Sequence, residues 1–104
     1  MRIAVDAAGG DYGPPVIVAG AVAGARRFGV GLLLTGPEAD IRRALSEQGQ
    51  DASGLDIIVA DAPEIIGGDE QPAQAVRRKP RSAIAVALDA VRDGRAAALV
   101  SAGN

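Results

Sequence analysis

The sequence contains no cysteine and no histidine, and only 2% of its 104 residues are aromatic. These absences exclude disulfides, thiolate zinc sites, covalent cysteine intermediates and imidazole catalysis within these residues. The two aromatic residues, Tyr12 and Phe28, are too few to stack nucleic-acid bases, and the net charge of −2 also argues against a nucleic-acid partner. The apolar run at the N-terminus is too short for a signal peptide or membrane span, so we expect a cytoplasmic protein.

What the sequence does contain is an alternation of short apolar runs and amphipathic segments. The apolar runs predict four strands, at 2–6, 31–35, 55–60 and 96–100, and the second and third have the pattern of strands buried on both faces. Helical spacing and capping residues predict helices at 14–28, 38–48, 72–79 and 82–92. This alternation indicates one α/β domain, or part of one, with a doubly wound, mainly parallel sheet.

In such a sheet, ligands bind outside the carboxyl ends of the strands. We therefore expect one edge of the sheet to carry the loops 6–12, 35–37, 61–71 and 101–104. In the first loop, Gly9 and Gly10 are expected to turn backbone N–H groups toward an anion near the next helix N-terminus. Asp6 and Asp11 would repel an anion unless they face away, and we favour a role in orienting neighbouring groups. A tight turn without a ligand is the ordinary alternative.

Two further groups of residues are candidates for binding. Ser101, Gly103 and Asn104 follow the last predicted strand, where backbone and amide groups can contact a carbonyl or phosphate oxygen, although a simple strand-end turn is the alternative. The basic segment consists of four cations within five positions, Arg77, Arg78, Lys79 and Arg81. A solvated helix end is its ordinary explanation. The competing interpretations are phosphate binding and docking of an acidic partner protein.

Three blocks of sequence, in order, resemble the PlsX phosphate acyltransferases, and together they span the chain. The first is Arg2-Ile3-Ala4-Val5-Asp6-Ala7-Ala8-Gly9-Gly10-Asp11 with Pro14 after it, where the family usually has Met in place of Ala8. The second is Asp69-Glu70 with Pro72 leading into Ala75-Val76-Arg77-Arg78-Lys79. The third is Ala98-Leu99-Val100-Ser101-Ala102-Gly103-Asn104. The family departs from this chain at Pro80-Arg81-Ser82-Ala83, where its members more often have Lys or Asp followed by Ser-Ser.

The resemblance implies a fold and an activity. The fold is the Rossmann-like architecture of isopropylmalate dehydrogenase and phosphotransacetylase, and residues 1–104 are expected to be the N-terminal part of one catalytic domain in a truncated chain. The activity is conversion of acyl carrier protein thioester and inorganic phosphate to acyl phosphate for phospholipid synthesis. The resemblance implies no cofactor and no required metal, although Asp6 and Asp11 offer a possible Mg²⁺ site in principle. It also implies a homodimer with peripheral membrane contact through residues beyond this sequence.

The chemistry assigns provisional roles to the candidate residues. Phosphate is itself a nucleophile, so a site needs positioning, charge relief and donors for the oxyanion rather than Cys or His. We expect Lys79 and Arg78 to hold phosphate, Lys79 and Asn104 to act in catalysis, and Arg77 and Arg81 to dock the carrier protein. The remaining expected substrate-binding residues are Asp6, Gly9, Gly10, Asp11, Ser82, Ser101 and Gly103.

Two alternatives remain open from the sequence. One is a related phosphate acyltransferase that uses coenzyme A thioesters. The other is a non-catalytic module that binds phosphate or a nucleotide. A dinucleotide site is disfavoured, because Asp11 and Tyr12 follow Gly10 directly and the G-x-G-x-x-G spacing is missing.

Overall fold

The computed structural model describes residues 1–9, 12–67 and 69–102, apart from the side chain of Pro72. Strands and helices alternate along this part of the chain, and each predicted element is present with small shifts of its ends. In chain order the elements are β1 (Arg2–Asp6), α1 (Pro14–Phe28), β2 (Gly31–Gly36), α2 (Glu38–Gln48), a 3-10 turn (Gly49–Ala52), β3 (Ile57–Asp61), α3 (Pro72–Arg78), α4 (Ala83–Arg92) and β4 (Ala98–Ser101).

The four strands form one parallel sheet in the order β3-β2-β1-β4. Asp6 at the end of β1 is in register with Thr35 of β2 and with Ser101 of β4, and Gly36 of β2 is in register with Asp61 of β3. The strands therefore end together. The loops that follow them share one edge of the sheet, as predicted, and we call this edge the carboxyl edge.

Helices cover both faces of the central strands, because successive side chains of a strand point to opposite faces. Leu32 and Leu34 of β2 pack into the core beneath α1 and α2. Leu33, between them, packs into a second core beneath α4. The three leucines are at most 3% exposed, which explains why the run is continuously apolar. This arrangement confirms the doubly wound α/β prediction.

The strand β3 corrects one expectation, because it is not buried on both faces, and β4 at the other edge of the sheet is exposed as well. Ile58 of β3 is 39% exposed and Val100 of β4 is 56% exposed. Val100 is in register with Val5, whose side chain belongs to the core beneath α1 and α2, so it lies on that face of the sheet. No helix of the described residues covers it there. An apolar run alone does not distinguish an edge strand from a central one.

Two glycines inside α1 lead to a prediction about stability. A Cβ added to Gly20 or Gly24 meets no atom within 4 Å. Glycine in a helix interior destabilises the protein by about 0.5–1 kcal/mol relative to alanine. Gly20→Ala is therefore expected to raise the free energy of unfolding by about that amount. Urea denaturation of the full-length protein measures this change. Gly29→Ala is the matched control and is expected to be destabilising, because Gly29 ends α1 with φ +67°. A loss of stability in Gly20→Ala would contradict the prediction.

Candidate functional site

The order of strands reverses at β1. From β1 the chain passes to β2 and then β3 on one side, whereas β4 lies on the other side of β1. In open α/β sheets, ligands bind in the crevice at such a reversal, outside the carboxyl ends of the strands. The loops that follow β1 and β4 therefore flank the candidate site.

Asp6 joins the ends of β1 and β4. The residue is 6% exposed, and its Oδ1 accepts hydrogen bonds from the backbone N–H groups of Ala8 at 3.1 Å and Gly9 at 3.0 Å. Its Oδ2 accepts a hydrogen bond from the Ser101 hydroxyl at 2.9 Å. The carboxylate thus ties the loop after β1 to the end of β4. This geometry agrees with the orienting role that we favoured for Asp6, which remains a prediction.

The backbone N–H of Gly9, in the loop after β1, has a different partner from the one we expected. The N–H of Gly9 donates to the carboxylate of Asp6, so it is not available to a bound anion. The expectation for Gly9 is corrected for this reason, because an N–H already bonded to a carboxylate is not an available donor. Gly10 and Asp11 lie outside the described residues.

The start of α1 has few free N–H groups. Its first residues are Pro14 and Pro15, and proline has no backbone N–H. The N–H of Ile17 donates to the carbonyl oxygen of Gly13 at 3.3 Å. The helix dipole remains at this end, but the donors that usually accompany it are reduced. An anion at the carboxyl edge therefore depends more on side-chain cations than on this helix start.

The end of β4 contributes one described candidate residue. Ser101 is in register with Asp6 and donates its hydroxyl hydrogen to it. This contact across neighbouring strands connects the candidate loop after β4 to the loop after β1. Gly103 and Asn104, the other candidates at this end, lie outside the described residues.

Thr35 is a buried polar residue at the same edge that sequence reasoning did not include among the candidates. It is fully buried, and its hydroxyl lies 2.8 Å from the carbonyl oxygen of Ala83 and 3.3 Å from that of Val5. The shorter contact ties the end of β2 to the start of α4. The sequence signal for this contact was a single hydroxyl residue in the apolar run of β2, because a buried hydroxyl needs a hydrogen-bond partner.

Lys79 fastens the loop 62–71 to the turn between α3 and α4. Its Nζ donates to the Glu70 carboxylate at 2.5 Å and to the carbonyl oxygen of Ile65 at 2.6 Å. The same Oε1 of Glu70 accepts the N–H of Gly67 at 3.0 Å. Sequence reasoning identified the cation but missed this partner, because Glu70 precedes α3 and Lys79 follows it, and no regular spacing pairs residues at the two ends of a helix.

The contact with Lys79 affects the titration of Glu70. The hydrogen bond from Lys79 lowers the pKa of the Glu70 carboxyl below its ordinary value, and the hydrogen bond from the Gly67 N–H acts in the same direction. Because the folded-state pKa is lower than the unfolded one, this contact stabilises the fold at neutral pH. The contribution is lost as the pH falls through the acidic range in which Glu70 becomes protonated.

The other cations of the basic segment have different surroundings. Arg78 donates to the side-chain oxygen of Gln74 at 3.1 Å, and its charge also helps to lower the pKa of Glu70. Arg78 and Lys79 are thus brought toward the same carboxylate. Arg77 is exposed on the last turn of α3, and within the described part of the chain it has no ion-pair partner.

Arg81 is attached to the end of β3 and to the loop after it. Its guanidinium lies 3.8 Å from the Asp61 carboxylate, and its backbone N–H donates to the Glu64 carboxylate at 2.9 Å. The side chain is nevertheless 64% exposed, so an acidic partner can still reach it. Arg77 and Arg81 therefore both present charge to solvent, whereas Lys79 is engaged inside the loop.

Ser82 requires a correction as an expected substrate-binding residue. It is 1% exposed, and its hydroxyl oxygen accepts the N–H of Ala85 at 3.4 Å. This is the helix cap that the sequence also predicted at the start of α4. A substrate cannot contact this side chain in this arrangement, because neighbouring residues of the protein surround it on all sides.

Neither a metal cluster nor a membrane-spanning helix is found in the described part of the chain. Among these residues, no group of three or more Asp, Glu, His or Cys side chains is arranged to hold a metal ion. No helix formed by them has the length and apolar character needed to cross a membrane.

The fold and the site define a doubly wound α/β protein with its candidate site at the reversal of strand order, flanked by loops rich in glycine and charge. A family model described as fatty acid synthesis protein matches residues 1–104, and the chain belongs to this family. The match covers the whole chain, so it includes every block on which the resemblance was based.

Individual relatives are named phosphate acyltransferase. The chain is 52% identical over its full length to the phosphate acyltransferase of Herpetosiphon aurantiacus, of which it covers 28%. It is 45% identical to that of Trichlorobacter lovleyi and 47% identical to that of Geobacter sulfurreducens, and it covers 30% of each. The chain thus spans less than a third of the length of these curated relatives. The resemblance to the PlsX-type phosphate acyltransferases is confirmed.

Proposed function

We propose that this protein catalyses acyl transfer from an acyl carrier protein thioester to inorganic phosphate and so forms acyl phosphate for phospholipid synthesis. The observation that carries the proposal is the match along the whole chain, at 45–52% identity, to relatives named phosphate acyltransferase. The geometry adds support, because the family's three sequence blocks contribute to the carboxyl edge of the sheet.

The proposed reaction needs no nucleophile from the protein. A phosphate oxygen attacks the thioester carbonyl carbon, the carbonyl oxygen becomes an oxyanion, and the carbon–sulfur bond then breaks. The carrier protein leaves as a thiolate that takes up a proton, and the acyl group remains on phosphate. The protein must bring two reactants together, offset the negative charge of phosphate and donate hydrogen bonds to the oxyanion.

The residues of the carboxyl edge suit these tasks. Lys79 and Arg78 supply cations for phosphate, since both lie near the Glu70 carboxylate and already attract one anion. Asp6 and Ser101 act as positioning residues, because their hydrogen bond fixes the two loops beside the reversal. Gly10, Gly103 and Asn104 remain proposed contacts to the reacting groups.

The carrier protein is the proposed macromolecular partner. Carrier proteins are acidic, and Arg77 and Arg81 present exposed positive charge on the turn and helix end next to Lys79. Attraction between such surfaces speeds encounter and fixes orientation. The proposed enzyme uses no cofactor. Its cytoplasmic location, its homodimeric state and its peripheral contact with the membrane are proposals that rest on the family resemblance.

The test is an assay of the full-length protein with three sets of substrates. Acyl phosphate and free thiol are measured with acyl carrier protein thioester and phosphate, with the coenzyme A thioester and phosphate, and with each thioester alone. We expect acyl phosphate to form only when phosphate is present, and to form faster from the carrier protein thioester than from the coenzyme A thioester. A preference for coenzyme A thioester would favour the related acyltransferase. Tight phosphate binding with no turnover of either would contradict an enzyme and favour a binding module.

A further inference from the structure

Glu70 lies in surroundings that suit a phosphate oxygen as well as a carboxylate. Its Oε1 accepts hydrogen bonds from the Lys79 ammonium at 2.5 Å and from the Gly67 N–H at 3.0 Å, and the charge of Arg78 acts on it from a longer distance. An ammonium, a backbone N–H and a guanidinium are the groups with which proteins bind phosphate. The carboxylate of the chain itself thus occupies an anion position.

The position is accessible to solvent. The Lys79 and Glu70 side chains are 30% and 28% exposed, so neither is sealed in the core. An ion pair at this degree of exposure contributes little to stability, so another anion can compete with Glu70 for the Lys79 ammonium. The loop that carries Glu70 keeps a separate attachment, because the backbone of Glu64 donates to the carbonyl oxygen of Arg81 at 3.2 Å. Release of Glu70 therefore does not require the loop to detach.

We propose that Glu70 is an internal competitor for inorganic phosphate, whose carboxylate holds Lys79 in place until phosphate takes over the ammonium. This inference rests on the proposed function, in which Lys79 and Arg78 hold phosphate. The competing carboxylate orders Lys79 in the absence of substrate and raises the phosphate concentration that the site requires. Glu70 is a positioning residue in this scheme and does not touch the reacting atoms.

The deciding variant is Glu70→Gln in the full-length protein. The amide oxygen still accepts from Gly67 and Lys79, so the shape of the loop is kept while the negative charge is removed. The phosphate concentration for half-maximal rate is expected to fall about two- to fivefold, the range that corresponds to a partly exposed ion pair. The KM for the thioester is expected to be unchanged. Glu70→Asp retains the charge on a shorter side chain and serves as the control, with a phosphate requirement closer to the unaltered protein.

The outcomes separate this inference from the proposed function. If Glu70→Gln leaves the phosphate requirement unchanged or raises it, whereas Lys79→Met raises it, Glu70 does not compete and only the inference is overturned. If neither variant changes the phosphate requirement, Lys79 does not bind phosphate and its proposed role fails as well. Thermal unfolding of each variant is measured in parallel. A fall in the phosphate requirement with an equal fall in the KM for thioester would also overturn the inference, because competition with phosphate alone leaves the thioester unaffected.

Discussion

Asp6→Ala is expected to lower kcat/KM of the full-length protein by about 100-fold, because small displacements of catalytic loops have effects of this size. The substitution removes both carboxylate oxygens, so the N–H groups of Ala8 and Gly9 lose their acceptor and the hydrogen bond from Ser101 to Asp6 is lost. A typical hydrogen bond within a protein contributes about 0.5–1.5 kcal/mol, so the loss of these contacts should also lower the free energy of unfolding. Initial rates at varied thioester and phosphate concentrations, together with urea denaturation, measure the two effects.

Two milder substitutions serve as controls for Asp6→Ala. Asp6→Asn keeps an acceptor for the loop N–H groups, and Ser101→Ala removes the side-chain hydrogen bond from β4 to Asp6 while Asp6 keeps its bonds to the loop. Both are expected to retain more activity than Asp6→Ala. If Asp6→Ala remains folded and within about threefold of the unaltered rate, the loop does not depend on this carboxylate and the positioning role is wrong.

Lys79→Met is expected to raise the phosphate concentration for half-maximal rate by about tenfold or more. A hydrogen bond to a charged group contributes about 1.5–3 kcal/mol, and each 1.4 kcal/mol corresponds to a factor of ten. Methionine matches the unbranched shape of lysine and removes the charge and the donors. Arg78→Met is expected to act in the same direction. Phosphate titrations at saturating thioester give the required concentrations.

The matched control is Arg92→Met, which removes a cation from the opposite end of the sheet. Arg92 is on the last turn of α4, and it pairs with Asp89 on the surface at 2.6 Å. This variant is expected to leave the phosphate requirement unchanged. Unaltered phosphate dependence in both Lys79→Met and Arg78→Met would remove these residues from phosphate binding. Equal increases in the KM values for phosphate and thioester would indicate disruption of the loop instead.

The elements and the fold class were predictable because their signals are local. Leu32, Leu33 and Leu34 form a continuous apolar run that a strand covered on both faces explains. Ser82 before an apolar helical segment predicts its cap, and Gly29 predicts the end of α1. The alternation of these elements then gives a parallel sheet and places the loops at one edge.

The partners of the candidate residues were less predictable, because they depend on contacts between distant positions. Asp6 and Ser101 are 95 positions apart in the sequence and meet only after β4 has paired with β1. Glu70 and Lys79 are closer in sequence, but the chain between them gives no spacing rule that pairs them. The burial of Ser82 likewise follows from how the turn packs, which neither the sequence nor the family resemblance at this position indicated.

The sequence alone determined the family, the order of strands and helices along the chain and the types of charge at the candidate site. They depend on residue identity, apolar periodicity and turn residues, which act over a few neighbouring positions. The tertiary structure decided which strands are exposed. It also decided that Gly9 and Ser101 donate hydrogen bonds to Asp6, and that Lys79 donates one to Glu70. A hydrogen-bond donor or a charge can satisfy only the groups that the fold brings within reach.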